Sequence, residues 1–503
     1  MKHGKNLLAL LTVVATIFAL ASCGSTEVTL ESKVWPPPLS ALSDDSTQTA
    51  QPDQSAQPDQ TTQTDTATQP DAVTAPYQRP TSLSQVLTPF YKVDDLLNEA
   101  VREGFPGAQL CIMDATGRVL YSGAWGYVKS YNDDGSPIPA EDRTKVTERT
   151  MFDLGGTSEV FTAWYAALHL ISAGKLELST RVVDILGREF VDQVILPDVT
   201  DVDEYNQIVT WKESITVEDL LRNRTGFAAG PDFHKAELDG KPNPFYNESG
   251  TREESRKLID SLAPVREPRT EHSPSDIDAI ILTFVVEKVT GERLDEYLNT
   301  LWDQIPGVDY AMFNPLEHSY LPNDFAATEI SGNSRFQMVE FPRMRTTTVQ
   351  GEVHDEVAYY AMEGVSGNAG LFANAESLCR ILTTFMEEHR GIGTGEVLIS
   401  NDVIREMLTP TKLTHPEGTV EFGMPWYLEI AEDGTVLEYW LNGFTRCYAG
   451  VLPDFGVAIV YLTNAIHSPV VYTSSTEHDL AHARFAGTTY LVANQGILFQ
   501  PES

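Results

Sequence analysis

Positive charge is what this 503-residue chain has least of: 35 Lys and Arg stand against 72 Asp and Glu, a formal net charge of -37. Nucleic acid and anionic lipid surfaces both need a cationic footprint, so neither is expected as a partner. Cysteine is almost as scarce. Cys23, Cys111, Cys379 and Cys447 make no disulfide framework; at most one pair could form, and buried free thiols are the simpler account. No distant set of His and Cys has metal-ligand spacing, and His354, Asp355 and Glu356 are adjacent, so regular backbone cannot turn all three toward one ion. The reading therefore assigns no metal and no cofactor. The apolar run from Leu7 to Leu20 is too short for a comfortable transmembrane span.

That run follows Lys2 and Lys5 and ends at Leu20-Ala21-Ser22-Cys23. A basic start, an apolar stretch and small residues before a cysteine have the form of a secretory leader. Residues 24 to 80 are rich in Ser, Thr, Gln, Asp and Pro, with an imperfect repeat at Ala50-Gln-Pro-Asp-Gln54 and Ala56-Gln-Pro-Asp-Gln60. Apolar side chains there are too few to offset the entropy of ordering, which predicts an extended tether. The remaining chain, 83 to 503, is long enough for one large two-lobed unit.

Within it, Val93 to Glu103 has helical periodicity, and Gln109 to Met113 and Arg118 to Ser122 read as a hairpin around Asp114-Ala115-Thr116-Gly117. From Val160 the apolar residues Phe161, Trp164, Ala167, Leu168 and Ile171 recur at helical steps as far as Gly174. Thr157 and Ser158 are candidate caps of that helix, and Thr216 with Asp219 is a second cap signal.

Several of these stretches resemble the serine β-lactamase and penicillin-binding family, in its class C and D-alanyl-D-alanine carboxypeptidase branch. Phe152, Leu154, Gly155, Phe161, Thr162 and Ala163 match the segment that carries the family's Ser-x-x-Lys, and Phe105-Pro-Gly107 precedes it as in the family. Glu287-Lys-Val-Thr-Gly291 sets the register of the Tyr-Ser-Asn or Tyr-Ser-Asp motif at Pro274-Ser275-Asp276. Gly364 to Phe372 matches a further motif in which the family has His at Asn368. Leu441-Asn442-Gly443 occupies the place of Lys-or-His, Thr, Gly, before the strand ending Leu462-Thr-Asn464. Val182 to Leu186 matches a strand-like run, and a final helix over Asp479 to Ile497 packs beside the first in the family. Cys23 matches the cysteine that bacterial lipoproteins lipidate.

The resemblance implies an α/β (α+β) fold, an antiparallel sheet flanked by helices plus a mainly helical lobe. It also exposes four departures. Gly156 stands for the nucleophilic serine, Glu159 for the lysine, Pro274 for the tyrosine and Leu441 for the basic residue. A serine hydroxyl needs a base to take its proton, and these groups act as a unit, so losing all four removes the chemistry. Ser172-Ala-Gly-Lys175, the chain's only Ser-x-x-Lys, straddles a glycine at a helix exit, and Cys447 lacks a positioned His. The leading expectation is a lipid-anchored envelope protein outside the cytoplasm, an inactive relative. Its groove, with Ser275, Asp276, Asn368, Asn442 and Gly443 as binding residues, takes a cell-wall (peptidoglycan) peptide or a protein partner. A hydrolase with a relocated nucleophile and a purely structural surface protein stay open.

Overall fold

In a computed structural model the chain is described over residues 91–468, apart from 103, 334–339, 388–396, 414–420 and 432. The leader, Cys23, the tether and the C-terminal helix expected over 479–497 lie outside the described residues.

The first helix, α1 (Tyr91–Arg102), leads through Phe105-Pro106 into the hairpin β1 (Gly107–Asp114) and β2 (Val119–Gly126). The expected turn is closed by Gly117 N donating to Asp114 O at 2.8 Å. Five later strands join them: β3 (Glu421–Phe422), β4 (Tyr427–Ile430), β5 (Val436–Asn442), β6 (Tyr448–Leu452) and β7 (Val457–Thr463). The order is β3-β4-β5-β6-β7-β1-β2, with every pairing antiparallel. The two halves of the chain meet where β1 pairs with β7, Ala108 opposite Thr463 and Asp114 opposite Val457.

Both faces of these central strands are covered, so they read as continuous apolar runs rather than alternating ones. Ala108, Leu110 and Ile112 of β1 pack with Val93 and Leu97 of α1, while Cys111 and Met113 face the main core. The helical lobe lies on that second side. Its centre is α2 (Ala163–Ser172), whose Trp164, Tyr165 and Leu168 are completely buried, packed against α5 (Asp276–Thr290). Two further helices, α3 (Val202–Ser214) and α4 (Arg252–Ser261), are joined through Lys212, and α4 packs against α5. A short α6 (Glu356–Ala361) and α7 (Ala375–Thr383) complete the elements used below.

Three local expectations need correction. The helix predicted from Val160 to Gly174 is broken at Thr162 (φ -112°, ψ -110°), with tight 3-10 backbone over Gly155–Phe161 before α2. The cause is tertiary: Thr162 Oγ1 lies 2.8 Å from Gly367 O and donates to it. Thr157 and Ser158 are consequently not caps; Thr157 Oγ1 donates to Cys447 O, and Ser158 Oγ accepts from Leu371 N. The strand-like Val182–Leu186 is a short helix. By contrast, Thr216 and Asp219 form a complete capping box, and Gly174 takes the left-handed conformation (φ +68°) that ends α2.

Candidate functional site

The cleft floor is a backbone construction. Phe152–Asp153 pairs with Phe372–Ala373, and Asp153 then fixes the turn that follows, Oδ1 accepting from Gly155 N at 2.8 Å and Oδ2 from His354 N at 2.6 Å. His354 is held in turn by Glu329. Gly155 adopts φ +51°, which favours glycine, and delivers Gly156 to the mouth of the cleft, partly exposed. The end of β5 comes up against this turn. A Cβ on Gly443 would lie 2.6 Å from Thr157 N and 2.9 Å from Gly156 N, so only glycine permits the approach. Gly156 itself has room: its own Cβ would meet only Gly443 Cα, at 3.8 Å.

Thr445 Oγ1, against Gly155, is buried without a hydrogen-bond partner, while the other hydroxyls and the thiol near this turn are bonded to backbone. Thr157 and Ser158 hold backbone groups as described, and Ser275, at the N-cap position of α5, donates to Ala228 O at 2.6 Å instead of capping its helix. Cys447 is fully buried, and loss of water pushes its thiol up to about 12, far from the thiolate that a nucleophile requires. Ser172 accepts from Ser400 N at the far end of α2, and Lys175 is exposed. Cys111, Cys379 and Cys447 are all free and buried.

A group of carboxyls gathers where Asn368, the start of α5 and the segment leading into α6 meet. Asn368 joins two of them: its Nδ2 donates to Asp355 Oδ1 at 3.3 Å, it also offers a hydrogen bond to Asp276, and its Oδ1 accepts from Ser366 at 2.6 Å. Burial and the neighbouring Asp355 push Asp276 up to about 8, despite the Asn368 amide. Asp355 is raised by burial and by Glu356. Glu159 retains some surface exposure, yet burial and the charges of Asp276 and Asp278 raise its carboxyl well above the usual range. Its carboxyl makes no hydrogen bond or ion pair with the described residues. Asp278 is completely buried; Thr225 donates to one oxygen at 2.5 Å and the other has no partner.

The expected positions thus fall into three places. Gly156 and Gly443 meet; Glu159, Asp276 and Asn368 gather at the start of α5 beside Ser275; Pro274 is exposed at the rim. Leu441 is buried in the main core, opposite Ala449, and strand alternation places Asn442 on the other face with Glu438 and Trp440. Among the described residues no group of three or more His, Cys, Asp or Glu could hold a metal ion. Sequence reasoning missed Asp232, His234 and Asp278. The pattern Pro231-Asp-Phe-His234 was visible, but nothing local ties it to Asp276 and Asp278, more than forty positions away.

A family model described as Beta-lactamase matches residues 93–483. The chain is 30% identical over 391 residues to an N-acetylmuramyl-L-alanine amidase of Bacillus subtilis (strain 168), covering 76% of this chain and 82% of that one. It is 30% identical over 387 residues to a protein of Escherichia coli (strain K12) provisionally named D-alanyl-D-alanine carboxypeptidase, covering 75% and 83%. Among solved structures it is similar to the octameric penicillin-binding protein homologue from Pyrococcus abyssi, with TM-score 0.53, 19% identity and 79% and 77% of the two chains covered. EstCE1, a hydrolase with promiscuous acyltransferase activity, gives TM-score 0.55 at 18% identity, covering 80% and 100%. At such identities these two structures speak to the fold alone.

Proposed function

The chain belongs to the β-lactamase family, and from that premise we propose that it is a non-acylating member, a lipid-anchored envelope protein whose groove binds a cell-wall peptide or a protein partner. One observation carries this reading: the turn that would present a nucleophile presents Gly156, held against Gly443, while every hydroxyl or thiol beside it is bonded to backbone or buried. Glu159 puts a carboxyl where the resemblance places the family's lysine, so the amine that would activate the serine is missing. The architecture of a binding groove persists without the chemistry. Relatives named for N-acetylmuramyl-L-alanine and D-alanyl-D-alanine point to peptides of the cell wall as the ligand class.

Anchoring through Cys23 and the reach of the 24–80 tether complete the reading; among the described residues no helix is long and apolar enough to cross a membrane. The test pairs two measurements on the full chain. Incubation with a fluorescent penicillin should leave the mass of every tryptic peptide of 91–468 unchanged, and muropeptides should raise the melting temperature. A penicilloyl increment on any such peptide would overturn the reading in favour of a relocated nucleophile. Absence of any thermal shift would favour a purely structural role.

A further inference from the structure

The three cysteines of the described residues do not share one environment. Cys447 Sγ lies 3.7 Å from Asp153 O and 3.6 Å from Thr463 O, with no cysteine among the groups acting on it. Cys111 and Cys379 stand together instead. Cys379 Sγ donates to Cys111 O at 3.2 Å, and the two thiols are in hydrogen-bond contact with each other. Both residues are buried, although 268 positions separate them in the chain.

The contact follows from how α7 is laid on the sheet. Ala375 N, at the start of α7, donates to Gln109 Oε1 at 3.0 Å and so pins the helix over β1. Gln109 and Cys111 share one face of β1, because side chains alternate along a strand. Two residues of strand advance about 7 Å and four residues of helix about 6 Å. A helix pinned at Gln109 and running along β1 therefore brings Cys379 level with Cys111. α7 also packs on β7, the neighbour of β1, so sheet and helix seal the pair between them.

We propose that Cys111 and Cys379 are a redox-convertible pair, closed to a disulfide when the chain folds in the presence of a disulfide oxidant. One cysteine, as thiolate, attacks a sulfur of the oxidant and expels the other sulfur; the second cysteine then displaces the oxidant from that mixed disulfide. The balance is two protein thiols for one S–S bond, with two electrons and two protons passing to the oxidant, which leaves as two thiols. The reacting thiolate is available while the chain is open. After folding, burial and the neighbouring Cys111 raise the Cys379 thiol well above its usual range, so either form persists once α7 has closed on the sheet. The bond ties β1 to the helix that follows the cleft-floor strand Phe372–Ala373, and by closing so long a loop it restricts the unfolded chain. It is independent of what the groove binds.

The full chain is refolded from urea in oxidised or in reduced glutathione, with cooperative melting checked in each sample. Each is then unfolded, alkylated without reductant and digested. From the oxidised sample the Cys111 and Cys379 peptides should be recovered joined, about 2 Da lighter than the two free-thiol peptides together, while Cys447 carries the alkyl label. The urea midpoint of that sample should lie roughly 0.5–1 M above that of the reduced one. The Cys447→Ala variant, which leaves only the pair in the folded part, should behave alike. Alkylation of both Cys111 and Cys379 in the oxidised sample, or a link from either to Cys23 or Cys447, overturns the proposal. A joined pair without a gain in midpoint overturns it as well, since the bond then does not fit the native packing.

Discussion

Two buried charges in this molecule are treated in opposite ways. Lys212, on α3, is completely buried; its ammonium donates to Ile259 O at 3.0 Å, Asp260 O at 2.8 Å and Leu262 O at 2.6 Å, and lies 4.4 Å from the centre of the Phe190 ring. It closes the C-terminal end of α4, where the last carbonyls have no partner within their own helix. Glu159, by contrast, has no ion-pair partner among the described residues, and the charges acting on it are those of Asp276 and Asp278. Burial disfavours charge at both places, pulling Lys212 down to about 7 and raising Asp276 beside Glu159 to about 8. Only Lys212 receives a full set of partners in return. A charge that serves the fold is surrounded by acceptors, whereas one left unpartnered at a cleft marks where stability has been given up, which is the usual signature of a site.

The comparison breaks most visibly at Lys212. Lys212→Met strands three carbonyls and should lower the free energy of unfolding by about 3 kcal/mol, read from urea denaturation. If the loss is negligible, the lysine is not the cap that its bonds suggest. Asp276→Asn should act in the other direction. Because the folded-state value of about 8 lies above the ordinary 3.8, stability is full below about pH 4 and is lost as pH rises through 8. The asparagine variant should therefore gain on the order of 2 kcal/mol at about pH 9 and almost nothing at about pH 4, measured by thermal melts across pH.

Gly367→Ala tests the packing under the cleft. The added methyl would sit 2.5 Å from Ala279 O and 2.7 Å from Ala163 Cβ, and a loss of about 1–3 kcal/mol is expected. Smallest is Gly156→Ser, which has room and should change stability by less than about 0.5 kcal/mol. Combined with Glu159→Lys, Pro274→Tyr and Leu441→His it should give weak penicillin acylation at best, followed by intact mass. Full-rate acylation would show the groove to be an undamaged active site.

How much of this could be read from the chain depended on distance along it. The Thr216–Asp219 box, the left-handed Gly174 and the Asp114–Gly117 turn were legible because their bonds close within a few residues. The break at Thr162 was not, because its cause is a carbonyl 205 residues away. Val182–Leu186 misled for a related reason: five residues with apolar positions fit either a strand or one helical turn, and burial against α5 decides.

What the sequence determined by itself was the family frame and which side chains, Gly156, Glu159, Pro274 and Leu441, stand at four matched motif positions, because side-chain identity is a local fact. The acid cluster was decided by folding alone. Positions 159, 276 and 355 carry no mutual spacing, and only folding brings the turn before α2, the start of α5 and the segment leading into α6 together, where burial and neighbouring carboxyls raise Glu159, Asp276 and Asp355 above the usual range.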